Sequence, residues 1–496
     1  MNSLHKINTF LICLIPFFLV TGPFIPDFVA TYLGIFFLFF CVYNNNFTEY
    51  KNFFFIFFII FYLYLNLNSI FSFNSKISFQ SSLPYLRVVL FIFCLSFYIK
   101  KNLNLLKFFY FINYFLLLFL LADSLVQFSS GYNIFKYKID HTLRVSSFFG
   151  KELIMGSFVS RLLPILIGIS YLINLNYRNY LNITLLSISG VLVVLSSERL
   201  AFFFFIVTIF FYLIIEFNKK NLIFLLIGLT LTSLTFFINQ NSYKIIFVHT
   251  YDQIAKSDKI IGFSERHVMH YLTAYEMFLE KKILGHGLKS FRYLCSNDDY
   301  LQKLINRNLK KYDVVAKENG YIGLMYGGNI KLVYENGTNE NYKRQSVTFY
   351  NQNNYYYEGV VHWDFLDIYY PKINNNLFFL KPFKKDEILF INYDVSGRCN
   401  THPHNIYLQF LSEIGLIGFF FLLIIFFYIA INLFKIFYKL IRISYLKNFE
   451  KSKFFNLISI FLPLIPILPS GNYFNNWMLI ISYFPLGIYL FQHKKI

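Results

Sequence analysis

The sequence predicts an all-α polytopic membrane protein. Hydrophobic residues make up 56% of the 496 positions, charged residues only 14%, and the mean hydropathy is +0.49. A water-soluble globular domain carries roughly a quarter charged residues. Apolar stretches long enough to cross about 30 Å of hydrocarbon recur along the chain, and in that solvent helices satisfy their own backbone hydrogen bonds. The composition therefore excludes a soluble globular fold for most of the chain.

Hydropathy predicts about twelve transmembrane helices. The first follows Lys6, as a signal peptide would, but no small-x-small cleavage site follows in VTGPFIPD, so it is interpreted as an uncleaved helix. A long polar stretch separates the ninth predicted span from the tenth. The predicted bounds are 7–24, 26–43, 52–72, 84–99, 104–127, 152–175, 181–197, 199–217, 221–238, 405–434, 453–469 and 472–491.

The positions of the basic residues predict the orientation. With the N-terminus inside, cytoplasmic loops contain Lys100-Lys101, Lys219-Lys220 and a cluster from Lys435 to Lys453, and the C-terminal tail adds Lys494-Lys495. This distribution agrees with the positive-inside rule. Much of the net charge of +19 therefore faces anionic membrane lipid, and no nucleic-acid partner is expected. Both termini are expected in the cytoplasm, with the long polar stretch on the outer side.

This topology divides the chain into an N-terminal membrane domain (1–238), an outer loop domain (239–403) and a C-terminal membrane domain (404–496). The front of the loop domain, SERHVMHYLTAYEMFLEKKILGHGLKSFR, has helical spacing and breaks at the Gly285-His286-Gly287 turn. Further on, GNIKLVYENGTNENYKRQSVTFY indicates two strands around an Asn-Gly turn, and EILFINYD indicates another. The loop domain is therefore expected to be part helical and part β, with a β-rich insertion at about 325–395.

Two cysteines, Cys295 and Cys399, lie near opposite ends of the outer domain. In an oxidising compartment a disulfide between them would bring the segment around Arg292 up to His404, and the alternative is two free thiols. The other three cysteines lie within predicted spans, where a buried free thiol is ordinary.

Arginines at the predicted outer face are candidate anion ligands: Arg144, Arg199, Arg266 and Arg292. Arg199 lies between two apolar spans with almost no loop around it, where an ionised side chain costs about 3 kcal/mol unless it is paired or solvated. Glu198 is one candidate partner. The other interpretation is that these arginines converge on a diphosphate, because a guanidinium matches phosphate oxygens in bidentate fashion. Arg87 and Arg161 lie inside spans and are expected to snorkel or to pair with Asp123.

His404-Asn405 ends the polar stretch where the next membrane helix meets water, in THPHNIYLQFLSEIGLIGFF. A lone histidine there either caps the helix or, as a neutral imidazole, accepts a proton from a sugar hydroxyl. His402 is interpreted as a loop residue or an orienting partner. A His402/His404/His286 metal site matches no strong zinc pattern, so no metal is expected. Motifs of the GxxxxGK[ST], HExxH and GxSxG types are absent from the sequence, so ATP hydrolysis, zinc proteolysis and serine hydrolysis lack support.

The stretch GHGLKSFRYLC, followed after a long gap by HPHNIYLQFLSEIGLIG, resembles the signature region of the O-antigen ligase and O-antigen polymerase superfamily. The histidine–amide pair, nine residues and then Gly-Leu is similar to the family motif, here His404, Asn405 and Gly415-Leu416. The position of Arg199 and the large outer loop also resemble that family. The resemblance covers most of residues 105–425, and the insertion around 325–395 departs from it.

The resemblance implies a type-C glycosyltransferase-like fold and an enzyme of lipopolysaccharide biosynthesis in the bacterial inner membrane, with a periplasmic loop and no metal or other cofactor. It implies glycan transfer from undecaprenyl diphosphate to lipid A–core, as in ligases, or to another carrier-linked glycan, as in polymerases. The single His-Asn-x9-Gly motif and the loop position favour a ligase. A lipid-linked oligosaccharide transporter is the alternative from another class, but the internal repeats and broken helices typical of transporters are not visible in the sequence.

The resemblance also implies roles for individual residues. His404 would activate or orient the acceptor hydroxyl, Asn405 would hold the histidine or a sugar, and His402 would contact substrate. Arg199 would act catalytically, since charge develops on the diphosphate as it leaves. The remaining arginines would bind the diphosphate: Arg144, Arg266 and Arg292.

Overall fold

The computed structural model of the protein describes residues 2–140, 142–216, 219–255, 265–295, 297, 299–300, 400–443 and 445–493, together with short strands between 329 and 393. The described chain is mostly helical. Its helices are α1 (Asn2–Val20), α2 (Phe24–Tyr43), α3 (Phe53–Ile70), α4 (Ser75–Ser82), α5 (Leu86–Lys101), α6 (Asn104–Ser130), α7 (Met155–Ser170), α8 (Arg178–Ser196), α9 (Arg199–Ile215), α10 (Lys219–Ile238), α11 (Gln240–Tyr243), α12 (His249–Ala255), α13 (Glu265–Glu280), α14 (Phe291–Leu294), α15 (Ile406–Ile443), α16 (Asn448–Phe461) and α17 (Asn476–His493).

Seven helical runs among the described residues are long and apolar enough to cross a membrane. They are Ser3–Val20, Phe24–Tyr43, Phe53–Ile70, Ser75–Lys101, Asn104–Ser130, Arg178–Ser196 and Ile406–Ile443. Shorter apolar helices occupy Met155–Ser170, Arg199–Ile215 and Gly228–Ile238. A multi-pass helical membrane protein is therefore confirmed, while the number of about twelve spans stays a prediction.

The strands lie in the part of the chain for which the sequence predicts β structure. They are β1 (Asn329–Tyr334), β2 (Asn339–Lys343), β3 (Val347–Tyr350), β4 (Tyr356–Val361), β5 (Ile368–Tyr369) and β6 (Ile388–Tyr393). β1 lies between β2 and β6 and is antiparallel to both, and β4 lies between β3 and β5 in the same way. The extent of the insertion, 325–395, stays a prediction because the residues between these strands lie outside the described ones.

The chain forms two compact units. The first comprises Met1–Tyr64, Ser81–Ile260 and Phe420–Ile496, and the second comprises Leu65–Gln80 and Ile261–Phe419. The three-domain division at 238 and 403 stays a prediction.

In the first unit, close helix contacts surround a polar cluster. At Gly34 on α2, an added Cβ would lie 3.0 Å from the Leu90 Cβ on α5, so only a small residue allows this approach. Nearby, Arg87 forms an ion pair of 2.8 Å with Asp27, and the Asn476 side chain hydrogen bonds to both. Pairing of Arg87 with Asp123 was therefore a wrong prediction. Asp123 instead accepts hydrogen bonds from the Ser147 hydroxyl at 2.6 Å and from the backbone amide of residue 134 at 2.9 Å.

The second unit has its own apolar core. It consists of side chains from α13, α14 and the residues after α14, with Leu408 of α15 packed against them: Ala274, Met277, Phe291, Leu294, Cys295 and Tyr300. The segment 65–80 packs on the glycine-rich turn, since the Phe73 amide donates to the His286 carbonyl at 2.7 Å. A Cβ on Gly287 would lie 2.1 Å from the Ser72 Cβ, so glycine is required for this contact.

Helix α15 is interrupted at Gly415, which has φ 65° and ψ −169°. The amides of residues 286 and 287 donate to the carbonyls of residues 412 and 413 at 3.0 and 2.7 Å, and the amide of residue 416 donates to the carbonyl of residue 282 at 2.8 Å. An added Cβ would lie 2.2 Å from the Ile283 oxygen at Gly415, and 2.6 Å from the Glu413 carbonyl carbon at Gly285. We call this contact between 282–287 and 412–417 the glycine seam. It fixes the short helix 406–414 to the turn.

Candidate active site

His404 lies immediately before the residue that caps α15. Its φ of 56° is in the left-handed region, which non-glycine residues rarely adopt. The Asn405 Oδ1 accepts a hydrogen bond from the Leu408 amide at 3.1 Å, and the Asn405 carbonyl accepts one from the Gln409 amide at 2.9 Å. Asn405 is therefore the N-cap of the helix. The capping role considered for His404 is thus filled by its neighbour.

Three other imidazoles surround the ring of His404. Together the four form what we call the imidazole cluster: His267, His270, His402 and His404. The ring centroid of His404 lies 4.3 Å from that of His402, 4.9 Å from that of His267 and 5.3 Å from that of His270. His270 is fully buried and His402 nearly so.

The hydrogen bonds of the 400–404 loop orient the two loop imidazoles. The Asn400 side-chain nitrogen lies 2.8 Å from His404 Nε2 and donates to it, so Nε2 is the unprotonated nitrogen in this arrangement. The Thr401 hydroxyl lies 3.0 Å from His402 Nδ1. From α13, the Tyr271 hydroxyl donates to the His404 carbonyl at 3.4 Å. His404 Nε2 is therefore available as a base. The backbone that carries it is held by Tyr271 and by the Asn405 cap.

A buried carboxylate connects the helix that follows His404 to the segment that carries Arg292. Glu413 is fully buried, and its side chain accepts hydrogen bonds from Gln409 Nε2 at 3.0 Å and from the Phe291 amide at 3.4 Å. Burial and the charge of Arg292 lower the pKa of Lys289, while Glu413 opposes this effect. The two cations thus lie near one carboxylate beside the glycine seam.

Two further predicted site residues fall in the second unit. Arg266 lies on α13 directly before His267, and its side chain lies outside the described residues. Cys295 is buried and disulfide-bonded, whereas Cys13, Cys41 and Cys94 are free thiols. Cys399 lies outside the described residues, so its pairing with Cys295 stays a prediction.

In the first unit, Glu198 is the centre of an arginine-rich site between α8 and α9. The Ser157 hydroxyl donates to its carboxylate at 2.6 Å, and the Ser157 amide does so at 3.2 Å. Burial raises the pKa of Glu198, whereas the Ser157 hydrogen bonds and the charges of Arg144 and Arg161 lower it. The carboxylate of Glu198 is engaged by Ser157 and lies in the field of Arg144 and Arg161, while its pairing with Arg199 stays a prediction.

Backbone carbonyls hold these arginines in place. Arg144 donates to the carbonyls of Ser196 at 3.1 Å and Leu153 at 3.4 Å. Arg161 donates to the Ser157 carbonyl at 3.0 Å, and its guanidinium lies 5.2 Å from the centre of the Phe204 ring. Arg199 is half-buried at the first position of α9. The charges of Arg144 and Arg161 therefore outnumber the Glu198 carboxylate on which both act.

Sequence reasoning missed several of these residues. His267 and His270 lie three residues apart on α13, and this spacing, which places two side chains on one helix face, was the available signal. Asn400 and Glu413 had no such signal. His286, considered as a metal ligand, has its Nε2 2.9 Å from the Met277 carbonyl oxygen. Within the described part of the chain, no group of three histidine, cysteine or acidic residues could hold a metal ion.

Comparison with known proteins gives one family. A family model for O-antigen ligase matches residues 184–314, a segment that includes Arg199, Arg266 and Arg292 but not Arg144 or His404. No curated protein and no solved structure matches the chain. At the family level the match indicates O-antigen-ligase-like glycan transfer by a multi-pass membrane protein. Over this segment the match bears out the resemblance to the O-antigen ligase and polymerase superfamily.

Proposed function

We propose that this protein is an O-antigen ligase that transfers a glycan from undecaprenyl diphosphate to a sugar hydroxyl of lipid A–core at the periplasmic face of the bacterial inner membrane. The observation that carries the proposal is His404, whose unprotonated Nε2 belongs to a loop anchored by the Asn405 cap and the glycine seam. The family match over 184–314 supports the donor class. Both termini would lie in the cytoplasm.

In the proposed reaction His404 acts as the general base. An acceptor hydroxyl replaces the Asn400 amide at Nε2 and gives its proton to the imidazole. The hydroxyl oxygen then forms the new bond to the anomeric carbon, while the bond from that carbon to the diphosphate oxygen breaks. The electron pair leaves with undecaprenyl diphosphate. The neighbouring His402 would contact the acceptor sugar.

The arginines would stabilise the leaving diphosphate. Arg144 belongs to the arginine-rich site of the first unit, where Arg144 and Arg161 outnumber the carboxylate of Glu198, and Arg199 follows Glu198 in the chain. Guanidinium groups bind phosphate oxygens in bidentate fashion, and the stabilisation increases as negative charge develops on them. Arg266 and Arg292 are proposed as further diphosphate ligands. This mechanism requires no metal and no nucleotide.

Alanine substitution tests these roles. His404→Ala and Arg199→Ala should each lower glycan transfer by about 100-fold or more, because a general base and a group that stabilises developing negative charge each contribute that much to the rate. His5→Ala and Arg178→Ala are matched controls on α1 and α8, expected to retain transfer. Wild-type transfer by either site variant, at equal abundance in the membrane, would refute the mechanism.

The surface glycans of a deletion strain distinguish the candidate functions. Bare lipid A–core with accumulated carrier-linked polymer is the expected result for a ligase. A single repeat unit on lipid A–core would instead identify a polymerase, which shares the His404-Asn405 motif. Carrier-linked glycan trapped on the cytoplasmic side would identify a transporter.

A further inference from the structure

Three polar side chains follow the glycine-rich turn of the second unit: Lys289, Ser290 and Arg292. The backbone at this point is held in place, because the Ser78 hydroxyl donates to the Leu288 carbonyl at 3.1 Å. Lys289 has a φ of 63°, in the left-handed region that residues other than glycine rarely adopt. Strained backbone of this kind is concentrated at sites that bind ligands. The fold therefore holds these three side chains together at some cost.

The polar atoms of these side chains lack partners among the residues that the structure describes. Ser290 is 4% exposed, and its hydroxyl is buried with no hydrogen-bond partner in that part of the chain. Arg292 Nε is buried and unpaired in the same way. No ion pair or hydrogen bond joins the Lys289 ammonium to any described residue. Because an unpaired buried polar group costs free energy, such groups are usually paired, and a ligand that accepts hydrogen bonds would supply the partners.

The segment also carries excess positive charge. Burial and the neighbouring charge of Arg292 lower the pKa of Lys289, whereas Glu413 opposes this effect. Glu413 is one carboxylate against two cations, and it already accepts hydrogen bonds from the Gln409 side chain and the Phe291 amide. An anion bound between Lys289 and Arg292 would relieve the repulsion between them and would use their free donors.

We propose that Lys289, Ser290 and Arg292 bind one phosphate group of a substrate. The guanidinium of Arg292 would take phosphate oxygens in bidentate fashion, the ammonium of Lys289 would act as a point charge, and the Ser290 hydroxyl would donate a hydrogen bond. Lys289 and Ser290 thus join Arg292, which alone was predicted from the sequence to bind substrate.

The phosphate site belongs to the same unit as the proposed base. The Phe291 ring lies 6.2 Å from that of His270, which in turn lies 5.3 Å from that of His404. A substrate that reaches His404 therefore brings its charged groups close to this segment. The choice of phosphate over another oxyanion rests on the proposed function, in which two sources carry it: the diphosphate of the donor and a phosphate ester on the acceptor.

Calorimetric titration of the full-length protein in detergent tests the proposal. The probes are farnesyl diphosphate for the donor, glycerol phosphate for a phosphate ester, and glycerate as the matched carboxylate. Lys289→Met should weaken binding of at least one phosphate probe about tenfold or more, the effect of losing one hydrogen bond to a charged group. Lys281→Met removes an exposed lysine at the end of α13 and should have no effect. Weaker binding of farnesyl diphosphate alone would assign the donor, and weaker binding of glycerol phosphate alone would assign the acceptor.

Ser290→Ala separates a binding role from a structural one. Its hydroxyl has no partner to lose within the described residues, so the variant should keep the thermal unfolding midpoint of the wild type. It should nevertheless weaken binding of the same phosphate probe about threefold or more, the effect of losing an ordinary hydrogen bond. A lower midpoint with unchanged binding would show that the hydroxyl serves the fold, and would overturn its place in the site.

The remaining outcomes decide between this site and the proposed function. Binding of glycerate as tight as that of glycerol phosphate by the wild type would overturn the phosphate site, and so would unchanged binding of both phosphate probes in Lys289→Met. None of the probes contains a glycan. A protein that binds them as expected but transfers no glycan would therefore refute the proposed function and leave the phosphate site in place.

Discussion

Replacing Gly415 with alanine tests the structural basis of the glycine seam. The φ of 65° and ψ of −169° at this position belong to a region that is almost confined to glycine, and a side chain there costs about 1–3 kcal/mol. The new Cβ would also lie 2.2 Å from the Ile283 oxygen and 2.7 Å from the Gly285 nitrogen. Both contacts are with backbone, so no side-chain rotation relieves them.

The two backbone segments would therefore have to separate. Separation breaks the hydrogen bonds from the amides of residues 286, 287 and 416, each contributing about 1 kcal/mol to stability. Strain and lost hydrogen bonds together predict that Gly415→Ala lowers the free energy of unfolding by about 4–6 kcal/mol. A denaturant titration of the detergent-solubilised protein measures this loss.

Gly131 provides the control. It also has a positive φ, of 79°, but an added Cβ would meet nothing within 4 Å. Gly131→Ala should therefore cost only the left-handed backbone term of about 1 kcal/mol. If the two variants lose the same stability, crowding at the seam contributes nothing and the reasoning is wrong.

Three further predictions concern single interactions. Asn405→Ala should lower the free energy of unfolding by about 1 kcal/mol through loss of the N-cap, and Asn405→Asp should retain most of it; an equal loss in both would exclude capping. In a double-mutant cycle with Arg87→Met and Asp27→Asn, the two positions should couple by about 1 kcal/mol or more, because the pair is mostly buried at 18% and 21% side-chain exposure; additive losses would contradict the ion pair. EDTA should leave glycan transfer unchanged in a membrane assay, and strong inhibition reversed by a divalent cation would restore a metal-dependent mechanism.

The membrane helices were predictable because a long apolar stretch indicates a segment that is surrounded by hydrocarbon rather than by water. The prediction of 26–43 corresponds to α2 at Phe24–Tyr43, and 104–127 corresponds to α6 at Asn104–Ser130. α4, at Ser75–Ser82, was not predicted, since its sequence SKISFQSS is polar and carries no hydropathy signal. In the structure it continues into α5 as one run from Ser75 to Lys101. A polar helical turn that precedes a membrane span is therefore missed when spans are predicted from the length of apolar stretches.

The candidate site was predictable in part. The position of His404 at a helix start follows from the change from polar to apolar residues, and the structure places it there with Asn405 as the cap. Its closest aromatic partners from outside the loop, His267 and His270, lie more than a hundred residues earlier in the chain. Local periodicity relates neighbours in sequence, so it cannot reveal such a contact. The same limit applies to the arginines around Glu198, where Ser157 from another helix engages the carboxylate.

The glycine seam gives a structural reason for the nine-residue spacing between Asn405 and Gly415. Residues 406–414 form a helix of nine residues, about 13 Å long, fixed at one end by the Asn405 cap and at the other by the break at Gly415. One residue more or less in this helix would rotate His404 by about 100° relative to the turn at 285–287. The motif thus specifies a helix length, and the glycine defines the end from which that length is measured. Since the seam consists of backbone contacts, no side-chain pattern in the sequence could show that Gly285 is the partner of Gly415.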